Sequence, residues 1–547
     1  MYLNEVMGDV YKKWNGGDSV FISAPTGVGK TTFVLQQLVP EAKSKGKEVL
    51  FLSNRTVLRD QIKNIVAKKQ GIPEDTEFLK DIEEFDGITL ASYQKIQAIQ
   101  EQSCMNPYED AKRYLYVVFD EAHYILEDAL FNPRIIYLEK FLKDCSMVKV
   151  FMSATISEVQ DYLLHTQYAD KRFGVEKEII SNYVSRELLK TYGFYSGSYS
   201  YLWYVNYPEQ RRNVTVKYFD NFEQIATRIN NSDEKWLIFI GNKNKAGDWA
   251  NGIERAYEII SAEYKETEVV ADIICNEKFE TDVLITTKLL DNGVNFKDSQ
   301  LKNIVLDTIS KTEFVQMLGR KRLKENEKIT LYIPKKTRMF FVGYGNLHFL
   351  KIKKILSSNL RRRTLVQEVL DSPEMYEIIR RFFLYLPKKE WYEQEEKERL
   401  IPNRAGKYKV DILYKFVKNM ESSMEEDEYA FVKEQLSWIG EEDSFSLDND
   451  LIFNDRRNGL HDMQVYLNGF QDTEMNKEQQ ELFRKEIASY MILLGKELKS
   501  GRLVGKSIIT KFFDEYEIPY FIDVKKSTKK GSESKWIVRR KEYGVDC

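Results

Sequence analysis

A glycine-rich loop near the N terminus constrains the fold of this chain more than any other feature. The loop reads Ala-Pro-Thr-Gly-Val-Gly-Lys-Thr from Ala24 to Thr31 and directly follows an apolar run. Gly27 and Gly29 can adopt positive φ, which lets backbone N–H groups approach phosphate oxygens that a Cβ would obstruct. Lys30 would place its charge at the β- and γ-phosphates. The sequence therefore predicts a strand, a phosphate-binding loop and a helix, in this order.

The predicted nucleotide site extends from the loop into the first helical turn. The positive N-terminal end of the helix would face the phosphates, and the hydroxyl of Thr31 would bind Mg²⁺. We expect ATP with Mg²⁺ as the ligand. The predicted binding residues in this segment are Thr26, Gly27, Val28, Gly29, Lys30, Thr31 and Thr32.

The tetrapeptide Asp-Glu-Ala-His at residues 120–123 supplies the acidic half of the predicted site. It directly follows the apolar run 116–119, so the end of a strand would present both carboxylates beside the phosphate loop. We expect Asp120 to hold Mg²⁺ together with Thr31, and Glu121 to orient and deprotonate the attacking water.

Short apolar runs alternate with helical patterns in two successive parts of the chain, and this alternation is typical of parallel α/β sheets. The runs form two series, 20–22, 49–52, 88–90, 116–119 and 148–152, then 236–240, 269–271, 283–286, 303–306 and 329–333. We therefore predict an α/β protein with two similar lobes in tandem.

The pattern divides the chain into five predicted segments. An ATP-binding lobe at 1–191 is followed by an irregular connector at 192–210, which is dense in Tyr, Ser and Gly, and by a second lobe at 211–345. Charged, helix-favouring sequence predicts a helical accessory domain at 346–500. A helix followed by a basic hairpin favours a winged-helix-like tail at 501–547.

Charge, cysteine content and hydropathy limit the function classes. The 82 basic and 85 acidic residues nearly balance, so a polyanion site would depend on local clusters. The four cysteines form no Cys-x-x-Cys pair, which argues against a disulfide framework or a zinc site. The sequence shows no leader and no apolar segment of membrane length. We expect a cytoplasmic protein with no membrane partner.

Together, these motifs resemble those of superfamily 2 helicases with an Asp-Glu-Ala-His motif II, of a bacterial or mobile-element type. Ala24 stands where the general phosphate loop has its first glycine, a variant that resembles motif I of this superfamily. Further segments resemble motifs Ia, Ib, III, IV, V and VI, namely 52–61, 89–94, 153–155, 238–243, 286–296 and 316–322.

The resemblance implies two RecA-like lobes and assigns roles across the cleft between them. Gln316, Arg320 and Arg322 of motif VI would act from the second lobe as catalytic residues, with the two arginines as finger candidates. His123, Ser153 and Thr155 would couple hydrolysis to the bound strand. The backbone of Gly293 would approach the nucleotide, while the nucleic-acid contacts would be Arg55, Ser92, Gln94, Lys243 and Thr287. Asn295 replaces a frequent aspartate of motif V.

The function implied by the resemblance is that of an ATP-dependent nucleic-acid helicase or translocase, with DNA favoured over RNA. Two basic clusters, at 351–363 and 525–541, are predicted to contact phosphates, whereas the arginine-aromatic stretch 380–385 is interpreted mainly as core. The C-terminal domain could also bind protein partners. Two alternatives stay open: an ATPase motor or remodeller that does not separate strands, and a nucleotide-gated binding or sensor protein.

Overall fold

The computed structural model describes most of the chain. The described residues are 2–54, 56–69, 71, 82–102, 107–168, 177–190, 199–208, 213–241, 246–261, 270, 272–273, 276–287, 294–323, 327–350, 352–353, 373–386, 390–391, 394–395, 399–496, 498, 503–525 and 534–541. They form two compact units, the first made of 1–216 and 221–444 and the second of 217–220 and 445–547.

The first lobe is built on a sheet that contains nine strands among the described residues, in the order β3-β4-β2-β5-β6-β1-β9-β8-β7. The strands are β1 Ser19–Ser23, β2 Glu48–Leu52, β3 Glu84–Phe85, β4 Ile88–Ala91, β5 Tyr114–Asp120, β6 Val148–Ser153, β7 Glu178–Ile179, β8 Val184–Lys190 and β9 Tyr199–Asn206. The six strands from β4 to β9 in this order run parallel. Their side chains are buried almost throughout, as expected when helices cover both faces of a parallel sheet.

One helix of the first lobe precedes β1, and the others lie between successive strands in the chain. The helices are α1 Leu3–Met7, α2 Lys30–Phe33, α3 Val39–Ser44, α4 Thr56–Lys69, α5 Tyr93–Gln102, α6 Tyr124–Asp128, α7 Ile135–Asp144 and α8 Ser157–Thr166. A π-helical turn, Val34–Leu38, joins α2 to α3. Pro40 has no N–H to donate to the carbonyl four residues earlier, and the wider π turn accommodates it without ending the helix.

The predicted irregular connector at 192–210 is wrong for its central residues, because β9 lies there and pairs in parallel with β1 from Ser19↔Leu202 to Ser23↔Asn206. Leu202, Trp203 and Val205 are fully buried. Aromatic and β-branched residues favour strands, so the tyrosines of this segment indicated sheet rather than loop.

The second lobe contains a six-stranded sheet among the described residues, in the order β10-β15-β14-β11-β13-β12. The strands are β10 Val214–Phe219, β11 Lys235–Ile240, β12 Tyr257–Ile260, β13 Val283–Thr286, β14 Leu301–Asp307 and β15 Ile329–Pro334, and the helices are α9 Phe222–Asn230, α10 Ala246–Ala250 and α11 Lys311–Leu318. Of the strand predicted at 269–271 only Val270 is described, and it is helical. The edge strand is β12 instead, where Glu258 interrupts the apolar pattern. The predicted fold class of two tandem parallel-sheet lobes is confirmed.

A helical region completes the first unit. It consists of α12 Arg338–Tyr344, a π turn Gly345–Phe349, α13 Pro373–Phe382, α14 Arg404–Glu426 and α15 Ala430–Ser437. Two short antiparallel pairs interrupt it, β16 Phe383–Leu386 with β19 Arg399–Pro402, and β17 Glu390–Trp391 with β18 Gln394–Glu395. Phe382, Phe383 and Leu384 are buried, in agreement with the interpretation of this stretch as core.

The start of α14 is anchored to the first lobe next to α6. The side chain of Asn403 caps α14 and donates to the carbonyl of Ala129 at 2.7 Å. Lys409 is 3% exposed and forms ion pairs with Glu127 of α6 at 2.9 Å and with Glu158 of α8 at 2.5 Å. Burial lowers the pKa of Lys409, but the charges of the two carboxylates and the hydrogen bonds to them outweigh this effect and raise the pKa overall.

Among its described residues, the second unit has its own hydrophobic core of 15 buried residues, which include Met463, Phe483, Phe512 and Val538. Its elements are α16 Leu451–Gly469, β20 Glu474–Met475, α17 Lys477–Leu493, α18 Lys506–Glu515, β21 Tyr520–Lys525 and β22 Lys535–Arg540. The strands form an antiparallel sheet in the order β20-β22-β21. A helix followed by a hairpin, as in the winged-helix-like prediction, is thus preceded by two further helices and a strand of the same unit.

Over the described part of the chain, no helix combines the length and the apolar character that a membrane span requires.

Candidate nucleotide-hydrolysis site

The phosphate-binding loop has the backbone geometry that its sequence predicts. Gly27 and Gly29 lie at φ +89° and +91°, a region that residues with a Cβ rarely adopt. Helix α2 begins directly after the loop, so its N-terminal amides point towards the loop's interior. The ammonium of Lys30 donates to the carbonyls of Ala24 at 3.0 Å and Pro25 at 3.3 Å. This loop can enclose a phosphate chain, for which Lys30 would exchange its carbonyl partners.

The acidic turn lies at the end of β5, beside the loop. Asp120 is the last residue of the strand, and Glu121 follows it at φ +50°. Positive φ is uncommon for a residue other than glycine, and such strain often marks functional sites. Both carboxylates are nearly buried. The two adjacent acids are therefore held in a defined, strained turn.

A cavity of about 250 Å³ brings the predicted residues of both lobes together. Its lining consists of Thr26, Gly27, Gly29, Lys30, Thr31, Thr32, Gln61, Asp120, Glu121, Asn295, Arg320 and Arg322. The hydroxyl of Thr31 and the carboxylate of Asp120 are hard oxygen donors of the kind that Mg²⁺ prefers. The combination of a glycine cradle, these oxygens and three cationic side chains fits a magnesium-bound nucleoside triphosphate.

His123 connects the acidic turn to the second lobe. Its Nδ1 lies 2.9 Å from Ser153 Oγ, and its Nε2 lies 2.6 Å from the amide nitrogen of Gln316 on α11. The ring of His123 thus lies between Ser153 of the first lobe and Gln316 of the second. The backbone N–H of Thr155 also donates to Ser153 Oγ, at 3.0 Å. The predicted coupling residues thus form one hydrogen-bonded chain with Gln316.

The C-terminal end of α11 approaches the phosphate loop closely. Thr26 Oγ1 donates to the carbonyl of Gly319 at 3.3 Å. A Cβ at Gly319 would lie 2.3 Å from the hydroxyl oxygen of Thr26, so only glycine permits this close approach. Gly319 therefore allows motif VI to pack directly on the first lobe.

Arg320 and Arg322 follow this glycine and extend towards the loop. Arg320 is 2% exposed and lines the cavity. Arg322 lies so near the loop that a Cβ at Gly27 would be 2.3 Å from its Nη1. Its Nε donates to Asn295 Oδ1 at 2.9 Å. Asn295 keeps the acceptor oxygen of the aspartate that it replaces, and it orients Arg322.

Other predicted residues lie outside this cavity. Val28 is buried, and its carbonyl accepts a hydrogen bond from Leu3 at 2.9 Å. Ser92 caps α5 by accepting from the N–H of Lys95, while Thr287 directly follows β13. The predicted contacts Arg55, Lys243 and Gly293 lie outside the described residues.

Two residues of the site were not assigned to it from the sequence. Gln61 lines the cavity from α4, and Asn295 holds Arg322. Gln61 occupies the last position of the segment that resembles motif Ia, which gave no indication of proximity to the nucleotide. The asparagine was visible only as a departure from the family pattern.

The N-terminal lobe matches a known family. Residues 2–158 match the model of the ResIII family, described as the type III restriction enzyme res subunit. No curated protein matches the sequence.

Two solved structures illustrate the structural similarity. Dbp5 of S. cerevisiae, bound to RNA and ADP BeF3, is 13% identical over 60% of this chain and 86% of that one, with a TM-score of 0.37. The helicase Lhr of Mycobacterium smegmatis, bound to ssDNA and AMP-PNP, is 13% identical over 65% of this chain and 47% of that one, with a TM-score of 0.39.

The segment matched by the family model contains the phosphate loop, the acidic turn and the coupling residues Ser153 and Thr155. The resemblance to superfamily 2 rests on these residues and on the match. The match of residues 2–158 to the ResIII family model agrees with the resemblance of these motifs to those of superfamily 2 helicases.

Proposed function

We propose that this protein hydrolyses ATP with Mg²⁺ between its two lobes and uses the hydrolysis to move along or unwind nucleic acid, with DNA favoured over RNA. The observation that carries the proposal is the shared cavity, in which Lys30, Asp120 and Glu121 of the first lobe meet Arg320 and Arg322 of the second. Such an arrangement makes hydrolysis depend on the contact between the lobes.

The residues of the first lobe bind the substrate and prepare the attacking water. The loop amides and Lys30 would hold the phosphates, and Thr31 and Asp120 would hold Mg²⁺, which neutralises the charge that develops on the phosphate oxygens. Glu121 would accept a proton from the water that attacks the γ-phosphate. His123 would transmit this state to the second lobe through its hydrogen bond with Gln316.

The second lobe supplies positive charge in the transition state of hydrolysis. Arg320 would stabilise the transition state across the cleft, a contribution worth ~10³–10⁵ in rate in comparable enzymes. Because Gly319 contacts Thr26, the position of both arginines depends on the closure of the lobes. Alternating closure and opening would then change the grip of each lobe on a phosphate backbone.

The central experiment measures the ATPase rate of the full chain with single-stranded and double-stranded DNA and RNA in parallel. We expect stimulation by nucleic acid, greatest with DNA. Glu121→Gln should lower the stimulated rate by ~10²–10⁴ while ATP still binds. Glu101→Gln is a matched control, because Glu101 lies on the surface of the same lobe and pairs with Arg134.

The outcomes separate the three functions. Stimulation together with displacement of an annealed strand supports a helicase, whereas stimulation without displacement supports a remodeller or motor subunit. An ATPase rate that none of the four nucleic acids raises would contradict the proposal. Persistence of cellular function in Glu121→Gln, despite lost turnover, would favour a nucleotide-gated sensor.

A further inference from the structure

Tyr93 is a buried residue between two predicted nucleic-acid contacts. It opens α5, with the partly buried Ser92 before it and the exposed Gln94 after it. The Tyr93 side chain is fully buried, and its hydroxyl donates to the backbone carbonyl of Asp120 at 2.9 Å. The start of α5 thus reaches from an accessible segment of the lobe to the acidic turn.

The ring of Tyr93 packs against aromatic residues that lie before and after the acidic turn in the chain. It packs on Phe119, which precedes Asp120, with the ring centroids 6.1 Å apart. It also stacks on Tyr124, at 5.8 Å. A carbonyl oxygen can only accept a hydrogen bond, so the Tyr93 hydroxyl is the donor to Asp120.

The carbonyl of Asp120, which accepts this hydrogen bond, influences the position of the Glu121 side chain. It belongs to the peptide plane that joins Asp120 to Glu121, and Glu121 has the strained φ of +50°. The orientation of this plane determines the direction in which the Glu121 side chain leaves the backbone. A donor that holds the carbonyl therefore holds the carboxylate.

A second contact extends from the accessible side. The amide of Gln94 donates to the hydroxyl of Tyr124 at 3.1 Å, and that hydroxyl donates to Asp128 at 3.0 Å. A ligand that draws Gln94 away from Tyr124 would alter the surface on which the Tyr93 ring is stacked. Contact of a nucleic-acid backbone with Ser92 and Gln94 would thus change the packing of Tyr93 and, through it, the acidic turn.

We propose that Tyr93 is a positioning residue that couples nucleic-acid contact at the start of α5 to the orientation of Glu121. The inference rests on the proposed function, since it requires that nucleic acid stimulates hydrolysis. It adds one buried hydroxyl to the predicted coupling residues of the first lobe. Tyr93 itself touches neither nucleic acid nor ATP.

The test compares Tyr93→Phe with Tyr114→Phe in the full chain. Both variants keep the ring and lose a buried hydroxyl, but that of Tyr114 bonds to Thr89 Oγ1 at 3.1 Å at the opposite end of β5. ATP turnover is measured with and without single-stranded DNA, together with the Kd of a fluorescent ATP analogue. We expect Tyr93→Phe to lower the stimulation ratio by about tenfold, which corresponds to about 1.4 kcal/mol. The Kd should stay within about twofold, a change below 0.5 kcal/mol.

Each outcome decides between positioning and structure. An unchanged ratio in Tyr93→Phe, with normal stimulation of the unmodified protein, would overturn the inference and leave the proposed function intact. An equal loss of stimulated and unstimulated rates would also overturn it, because the hydroxyl would then be merely structural. Absence of stimulation in the unmodified protein would overturn both proposals.

Discussion

The cleft of the first unit and the hairpin of the second unit both carry clustered basic residues, yet the structure uses them differently. In the cleft, Lys30, Arg320 and Arg322 line one cavity together with the glycine loop. In the hairpin, basic side chains pair with nearby carboxylates. Lys525 and Lys535 both bind Glu474, at 2.6 and 2.8 Å, and Lys541 binds Asp514 at 2.7 Å.

The difference shows that the number of charges in a segment does not by itself predict an anion site. In the cleft, the N-terminus of α2 places Lys30 and the C-terminal end of α11 places Arg320 and Arg322, so that all three line the same cavity. Arg539 of the hairpin instead forms an ion pair at 3.1 Å with Asp523 of the neighbouring strand β21. The basic tail predicted to contact phosphates is thus partly neutralised by its own unit.

The largest expected effect is the difference in ATP turnover between substitutions of Arg320 in the cleft and Arg539 in the hairpin. Arg320→Ala should lower nucleic-acid-stimulated ATP turnover by ~10³–10⁵, because it removes charge stabilisation in the transition state. Arg539→Ala removes an arginine whose charge is paired, and it should leave turnover unchanged. Steady-state ATPase assays with binding of an ATP analogue measure both. Near-normal turnover in Arg320→Ala would remove the basis for a two-lobe mechanism.

A smaller effect separates buried from exposed ion pairs. Lys409→Met leaves Glu127 and Glu158 close together without their cation, and removing one partner of a buried pair typically costs 3–5 kcal/mol. We expect about 3 kcal/mol, because both carboxylates keep some access to water. The free energy of unfolding is measured by urea titration with circular dichroism.

The matched control is Lys535→Met, since Lys535 is about half exposed and its pair with Glu474 lies at the surface. Exposed pairs contribute little to stability. If both variants unfold at the same urea concentration as the unmodified protein, α14 is not anchored to the first lobe through Lys409.

The parts of the cleft that could be predicted from the sequence are those set by local chemistry. Gly27, Gly29 and Asp120 occupy positions that a strand end or a helix start dictates, so short motifs identify them. The contacts of Tyr93 with Asp120 and of Arg322 with Asn295 each join residues 27 positions apart, and no local pattern indicates them. The bond of Lys409 to Glu158 spans 251 positions and depends on how α14 packs.

The same reasoning explains the errors in the fold. The strand β9 was interpreted as a connector because tyrosine, serine and glycine are common in loops, but its burial beside β1 makes the aromatic residues core. Tertiary packing decides between these alternatives, since β-propensity reflects the fit of a side chain to a half-buried surface.

The smallest expected effect concerns the hairpin itself. Hydrogen bonds from Lys525 and Lys535, and then their charges, lower the pKa of Glu474 from 4.5 to about 2. The pairing therefore stabilises the folded state above pH 4.5, and this contribution is lost as the pH falls from about 4.5 towards 2. At neutral pH Glu474 is ionised and would compete with any phosphate group for both lysines.

Glu474→Gln should release this competition. If the hairpin contacts nucleic acid, the full-length variant should bind DNA more tightly at low salt, and its plot of log K against log salt should be steeper by about 1–2, as for one or two additional phosphate contacts. Fluorescence anisotropy at several salt concentrations measures the slope, with Glu478→Gln on α17 as the control. An unchanged slope would mean that Lys525 and Lys535 serve the stability of the second unit alone. The basic residues of the hairpin would then differ from those of the cleft in having no anion to bind.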